Sequence, residues 1–223
     1  MITIRRSKER GHANHGWLDS FHTFSFADYH DPRFMSYRSL RVINEDRIGP
    51  GEGFGQHPHR DMEIVTYVIE GALKHKDSMG NEGIIEAGQV QKMTAGRGVT
   101  HSEFNASKTK EAYLLQIWIV PETKGLEPSY QQHNLPVGQE DCLLPLPVTI
   151  CQDAKIFRGR LSQGKSLEYA IGQGRGIWLQ LISGQLTIES QLMEAGDGAV
   201  IEDQKKLTVS ALHMAEFLLF DLK

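Results

Sequence analysis

Two short histidine-containing pairs are the residues of this sequence best suited to chemistry. His57-Pro-His59 and His101-Ser-Glu103 each place two metal-ligand side chains one residue apart. In a β-strand, residues i and i+2 point to the same face, about 6–7 Å apart along the strand, so each pair can present both side chains to one point. Together the pairs supply three imidazoles and one carboxylate, a set suited to Fe, Ni, Cu, Mn or Zn.

Glu63 offers a second carboxylate for the same site. It continues the odd-numbered face beyond His59, so an unbroken strand would carry it toward the same point. The residues alone therefore leave open whether Glu63 or Glu103 completes the ligand set. An octahedral ion with four protein ligands keeps two open positions, which suit water, dioxygen or a chelating substrate.

The elements that must position these residues are short strands. Residues 22–26, 40–44, 64–69 and 113–120 form runs that favour β structure, separated by Gly, Asn and Asp. Helical periodicity is not sustained anywhere for long. Many short strands at close spacing predict an all-β sandwich or barrel.

The chain also has the pattern of two copies of one unit. A strand, a glycine turn, a second strand and a Glu-Ala-Gly turn recur in order, with Gly71 and Gly88 in the first half matched by Gly184 and Gly196 in the second. Prolines are concentrated between residues 121 and 147, where a central strand is hard to sustain. We therefore predict an N-terminal metal-binding barrel over residues 1–120, a Pro-rich interdomain connection over 121–150 and a C-terminal barrel over 151–223.

The predicted C-terminal barrel lacks the metal ligands. When the two halves are aligned on their glycine turns, the positions that match the first histidine pair and Glu63 are Ala170, Gly172 and Gly176. None of these side chains can bind a metal. We expect one divalent metal per chain, held by the N-terminal barrel, and a degenerate second barrel without metal.

Composition and charge narrow the classes of function. With 24 Lys+Arg against 28 Asp+Glu, the formal net charge of −4 gives no electrostatic reason to expect direct nucleic-acid or membrane binding. The first residues lack the apolar stretch of a signal peptide, and no apolar run reaches the length of a membrane span, so a cytoplasmic protein is expected. Cys142 and Cys151 have neither CxxC spacing nor a clustered histidine, which predicts two reduced structural thiols.

Two stretches resemble the metal-binding motifs of the cupin superfamily. The stretch from Gly51 to Glu63 is similar to the first cupin motif, although its closing glycine, Gly71, comes one residue late. The stretch from Gly98 to Asn105 is similar to the end of the second motif, with glycine at position 96 where that motif has proline.

Within the cupins, the closer resemblance is to the pirins, and it covers nearly the whole chain in order. It is carried by Arg10-Gly-His-Ala-Asn-His-Gly-Trp17, His22-Thr-Phe-Ser-Phe26, His57-Pro-His-Arg60, Met93-Thr-Ala-Gly-Arg-Gly98 and His101-Ser-Glu103. The resemblance implies a bicupin, two double-stranded β-helix (jelly-roll) barrels in tandem, with a metal in the N-terminal barrel.

The same resemblance implies a ligand set. Carried over residue by residue, the implied ligands are His57, His59, His101 and Glu103. Cupins outside the pirins usually take their carboxylate from the position of Glu63. On the pirin pattern Glu63 is instead an outer acceptor, which orients a ligating imidazole or holds a water.

The chain is most similar to the bacterial pirin-like quercetin 2,3-dioxygenases, which implies an activity. That activity is a metal-dependent cleavage of a flavonol such as quercetin by O2, with release of carbon monoxide. Iron is the expected metal, with Ni, Co, Cu, Mn or Zn as alternatives, and Glu103 or Glu63 is expected to take the proton of the substrate hydroxyl as general base. The alternative function is a metal- or redox-sensing regulatory protein that acts through protein contacts, because pirins of other lineages resemble transcriptional co-regulators.

Overall fold

Strands and the turns between them make up the chain, and the computed structural model describes all 223 residues. The chain divides into two units. We call the unit of Gly11–Leu135 and Pro147–Gln152 the N-terminal barrel, and the unit of Met1–Arg10, Pro136–Leu146 and Asp153–Lys223 the C-terminal barrel. The single helix is the 3-10 turn Ser7–Glu9. No helix has the length and apolar character needed to cross a membrane.

The N-terminal barrel consists of two antiparallel sheets. Its strands are β2 (Gly11–Asn14), β3 (Leu18–His22), β4 (Leu40–Ile48), β5 (Gly53–His59), β6 (Glu63–Glu70), β7 (Ala72–Asp77), β8 (Glu82–Glu86), β9 (Gln89–Thr94), β10 (Val99–Asn105), β11 (Ala112–Ile119) and β12 (Ser129–Asn134). The seven-stranded sheet has the order β12-β9-β6-β11-β4-β3-β2, and the four-stranded sheet has the order β5-β10-β7-β8.

Burial along each strand shows which face points into this barrel. In β10, Val99, His101, Glu103 and Asn105 are buried and the side chains between them are less so, which is the period of a strand with one face on the core. In β6, six consecutive residues from Glu63 are buried, so this central strand is covered on both faces. The apolar core includes two clusters of buried residues: Leu18, Ile48, Val68, Leu73, Ile85 and Leu114, and Ile64, Met93 and Val99.

The C-terminal barrel repeats the arrangement. Its strands are β1 (Ile2–Arg5), β13 (Cys142–Pro145), β14 (Ala154–Leu161), β15 (Ser166–Ala170), β16 (Gly176–Ser183), β17 (Gln185–Ile188), β18 (Gln191–Glu194), β19 (Gly198–Ile201), β20 (Lys206–Ala211) and β21 (Ala215–Leu222). Its sheets have the orders β1-β19-β16-β21-β14-β13 and β15-β20-β17-β18.

The strand orders of the two barrels correspond. The order β5-β10-β7-β8 matches β15-β20-β17-β18, and β9-β6-β11-β4 matches β19-β16-β21-β14. Apolar side chains fill the interior of the C-terminal barrel, among them Leu179, Leu186, Val209, Phe217 and Leu219. Burial of each such side chain contributes roughly 1.5–3 kcal/mol to folding. The predicted all-β fold of two tandem jelly-roll barrels is confirmed.

The two units do not follow the predicted boundaries at residues 120 and 150. β1 pairs with β19 through Ile2↔Ile201, so the first ten residues belong to the C-terminal barrel. β12, which lies inside the predicted connection, pairs with β9 and forms an edge of the N-terminal barrel. Each added strand covers a sheet edge whose backbone groups would otherwise lack partners. Proline spacing does not reveal such pairing, because the partner strands are distant in sequence.

Candidate metal centre

Pairing of β5 with β10 brings the two predicted pairs together. His101 lies directly opposite His57, and His59 lies opposite Val99 two residues further along the ladder. The ring centroids of His57, His59 and His101 are 4.4–4.8 Å apart. One nitrogen from each ring lies within 4.8 Å of the other two, so three imidazoles face one point.

A β-bulge places Glu103 beside this cluster. The register shifts between His101 and Glu103, so that Glu103 lies opposite Phe54 and β5 carries one extra residue. The two backbones approach closely at Gly53, where a Cβ atom would lie 2.2 Å from the Glu103 carbonyl oxygen. A residue without a Cβ atom is therefore needed at position 53, so that β5 can lie close to β10 beside Glu103.

The nitrogens of the three imidazoles are directed toward one another. Nδ1 of His57 lies 2.8 Å from the Gly55 carbonyl oxygen and donates to it, which turns Nε2 of the ring toward Nε2 of His101, 2.9 Å away. Burial lowers the pKa of His59 to about 4 and that of His101 further, with the other histidines adding to both shifts. Nδ1 of His101 is buried without a hydrogen-bond partner. Three converging imidazole nitrogens fit a divalent transition metal.

Glu103 is oriented from the opposite sheet. Nε2 of Gln116 donates to both of its carboxylate oxygens, at 3.1 and 2.9 Å. Thr66 donates to Oε1 of Gln116 at 2.8 Å, which fixes the direction of the amide. Burial raises the pKa of Glu103 to about 7. Since a neighbouring cation favours the charged form of a carboxyl group, a bound metal would oppose this effect of burial.

His75 adjoins the site, although the sequence analysis did not single it out. On β7, Asp77 lies opposite His101 and His75 lies opposite Glu103. The His75 and Asp77 side chains are fully buried, with Nε2 of His75 3.2 Å from Oδ2 of Asp77. His75, His101 and Glu103 have ligand atoms within 4.8 Å of one another. The His-x-Asp spacing on one strand face was the available signal.

Glu63 does not join the histidines. Its carboxylate lies 2.7 Å from Nζ of Lys92, and both side chains are almost completely buried. Thr94 and the backbone N–H of Cys151 donate to the same carboxylate oxygen. The predicted continuation of the His59 face fails because β5 ends at His59 and the chain turns at Asp61, which has φ of 50°. Strand alternation cannot be carried across such a turn.

A cavity of about 550 Å³ opens beside the candidate centre, within the ~300–1,000 Å³ range of small-molecule sites. Phe26, Tyr29, Phe54 and Trp118 give it aromatic walls. The polar groups that line it include Ser20, His22, Asn44, Asp46, His57, His59, Glu103 and Gln116. No Lys or Arg lines the cavity. It suits a flat, uncharged aromatic ligand that places oxygen atoms near the histidines.

Two jelly-roll barrels with a histidine-rich centre on the smaller sheet of the first define a bicupin. Residues 3–119 match the family model described as Pirin, and residues 145–222 match the model described as quercetinase C-terminal cupin domain. The chain belongs to the pirin family.

Known relatives agree with this assignment over the full length. A protein from Escherichia coli (strain K12) named quercetin 2,3-dioxygenase is 46% identical over 228 residues, which cover 100% of this chain and 99% of that protein. The crystal structure of YhhW from Escherichia coli is 44% identical, with a TM-score of 0.97, and covers 100% of this chain and 98% of that one. A structure of bacterial pirin YhhW in complex with nickel(II) gives 43% identity and a TM-score of 0.96, with 100% of this chain and 99% of that one covered.

The relatives also bear on the predicted chemistry. They confirm the predicted family and the prediction of an enzyme of the cupin dioxygenase class. The nickel complex and the His/Glu group of this chain support a single divalent metal. The choice of iron, the four individual ligands and the flavonol substrate remain predictions.

Proposed function

We propose that the chain is a metal-dependent quercetin 2,3-dioxygenase that cleaves a flavonol bound in the cavity of the N-terminal barrel. The observation that carries this proposal is the junction of three converging imidazoles with an aromatic-walled cavity of suitable size. The names of the relatives support the choice of quercetin as substrate. The proposed ligands are His57, His59, His101 and Glu103, and the proposed metal is iron.

When bound by these residues, the ion would supply Lewis acidity to the substrate and the capacity to react with O2. The residues of this chain provide the other requirements. Trp118 lies against His59, with ring centroids 4.9 Å apart, so an aromatic wall adjoins the histidines. Such a wall orients a flat ring and excludes water from it.

Glu103 is the carboxylate we assign to take the proton of the flavonol hydroxyl. It lines the cavity next to His57 and His59, and Gln116 holds its carboxyl group in place. A general base must lie within hydrogen-bond reach of the proton that it removes. Glu63 does not line the cavity and is held by Lys92, so we assign it no part in this transfer.

We expect the anaerobically metal-loaded protein to consume O2 with quercetin and to release carbon monoxide in comparable amount. Iron and nickel(II) are the first metals to load, because iron is the predicted metal and the relative YhhW forms a nickel(II) complex. An oxygen electrode and a carbon monoxide assay measure the two gases. The matched control is His101→Ala in the same metal solution, since quercetin autoxidises and free metal accelerates that reaction. Equal rates for both proteins with every metal would refute flavonol oxygenation by this site.

A further inference from the structure

The candidate metal centre occupies one part of the cavity, and a separate buried carboxyl group faces another part. We propose that Asp46, positioned by Ser20, binds a phenolic hydroxyl of the substrate that is remote from the oxygens facing the histidines. This inference rests on the proposed function and specifies its substrate class as a polyhydroxylated flavonol.

The hydrogen bonds of Asp46 leave one carboxyl oxygen for a ligand. Asp46 is 4% exposed and lines the cavity. Ser20, directly opposite on β3, donates its hydroxyl to Oδ1 at 2.5 Å. Oδ2 receives no hydrogen bond from the chain and is not sealed from the cavity. Because Oδ2 has no partner within the chain, a hydroxyl group of a ligand in the cavity can donate a hydrogen bond to it.

The charges around Asp46 favour a neutral partner. No Lys or Arg lines the cavity, whereas Glu103 lines it together with Asp46. Burial raises the pKa of Asp46 to about 7, and repulsion from Glu103 and Glu45 adds to that shift. In either protonation state the carboxyl group can share a hydrogen bond with a phenolic hydroxyl. An anionic group at this position would be repelled.

Asp46 is placed to contact the end of a flavonol ring system that is remote from the histidines. Asn44 lies across from Gln116, which holds Glu103, and Asp46 follows two residues further along β4. This step is about 6–7 Å along the strand. Asp46 and the histidines line the same cavity, so a flavonol whose chelating oxygens face the histidines can direct another hydroxyl toward Asp46. Phe26 and Tyr29 belong to the same aromatic lining.

The test compares quercetin with 3-hydroxyflavone, which keeps the chelating oxygens but lacks the remote hydroxyls. Binding to the nickel(II)-loaded protein is measured anaerobically by fluorescence titration, so no turnover is required. Asp46→Ala should weaken quercetin binding about tenfold or more, the effect of losing a hydrogen bond to an ionisable partner. It should leave the Kd of 3-hydroxyflavone within about twofold. Asp46→Asn, which keeps an acceptor oxygen, should recover part of the quercetin affinity.

Glu45→Ala is the matched control, because Glu45 is the neighbouring carboxylate on β4 and lies outside the cavity lining, where it accepts a hydrogen bond from Tyr113. It should bind both flavonols as the unmodified protein does, and thermal melting of each variant checks folding.

Equal losses of affinity for the two flavonols in Asp46→Ala, or no loss for quercetin, would overturn the inference and leave the proposed function standing. A loss of affinity for quercetin alone in Asp46→Ala, together with no O2 consumption by the unmodified protein, would support the subsite and refute the oxygenase activity. Binding of neither flavonol by the unmodified protein would overturn both.

Discussion

A His101→Ala variant is expected to lose the metal of the chain while the C-terminal barrel keeps its fold. His101 is the residue common to both ligand groups, because it lies within reach of His57 and His59 on one side and of His75 and Glu103 on the other. Its Nε2 is 2.9 Å from that of His57, so removal of the ring opens the centre of the cluster. Elemental analysis of purified protein should show one metal ion per unmodified chain and almost none in the variant.

His213→Ala supplies the control for this experiment. His213 is exposed in a turn of the C-terminal barrel, whose interior is filled by apolar side chains. The metal content of this variant should equal that of the unmodified protein. Two tightly bound ions per chain would contradict the assignment of a single centre, and so would metal loss in His213→Ala.

The sequence predicted the histidine cluster because its geometry follows from strand alternation. His57 and His59 are two residues apart within one strand, and so are His101 and Glu103, so each pair shares a face whatever the rest of the fold does. The pairing of β5 with β10, which brings the two pairs together, had to be supplied by the fold. The likeness to cupin motifs implied only that both pairs contribute to one ligand set. Repeated glycine turns likewise indicated the two barrels, whose strand orders correspond.

The residues that sequence reasoning missed are those held by long-range pairing. Gln116 and Asp46 lie on the seven-stranded sheet, across the cavity from the histidines, and no local pattern connects them to Glu103. The burial of His75 depends on β7 pairing with β10. The prediction for Glu63 assumed that one strand continues from His59 to Glu63. β5 instead ends at His59, and the chain turns at Asp61, which has a positive φ.

Removal of one partner from the buried ion pair of Glu63 and Lys92 is expected to destabilise the N-terminal barrel. Lys92→Met would leave the Glu63 carboxylate buried with only Thr94 and the Cys151 N–H as donors. Removal of one partner from such a pair costs about 3–5 kcal/mol, because the remaining charge has no compensation. We expect a lower urea midpoint for Lys92→Met, measured by tryptophan fluorescence. The double variant Glu63→Leu/Lys92→Met should recover most of the loss, since well-packed apolar residues replace buried ion pairs at little cost.

The two buried glutamates should therefore give opposite results when each is changed to glutamine. Glu63→Gln leaves Lys92 as an uncompensated buried cation, so it should lower the urea midpoint and keep the metal content. Glu103 has no cation beside it and its burial disfavours the charged form, so Glu103→Gln should keep the midpoint of the metal-free protein. Its metal affinity, measured by competition with a chelator, should fall by at least the ~10–100-fold typical of losing an outer partner of a metal ligand. A larger loss of metal affinity in Glu63→Gln than in Glu103→Gln would place the carboxylate ligand at the position used by other cupins and would contradict the separation of roles derived from the Lys92 contact.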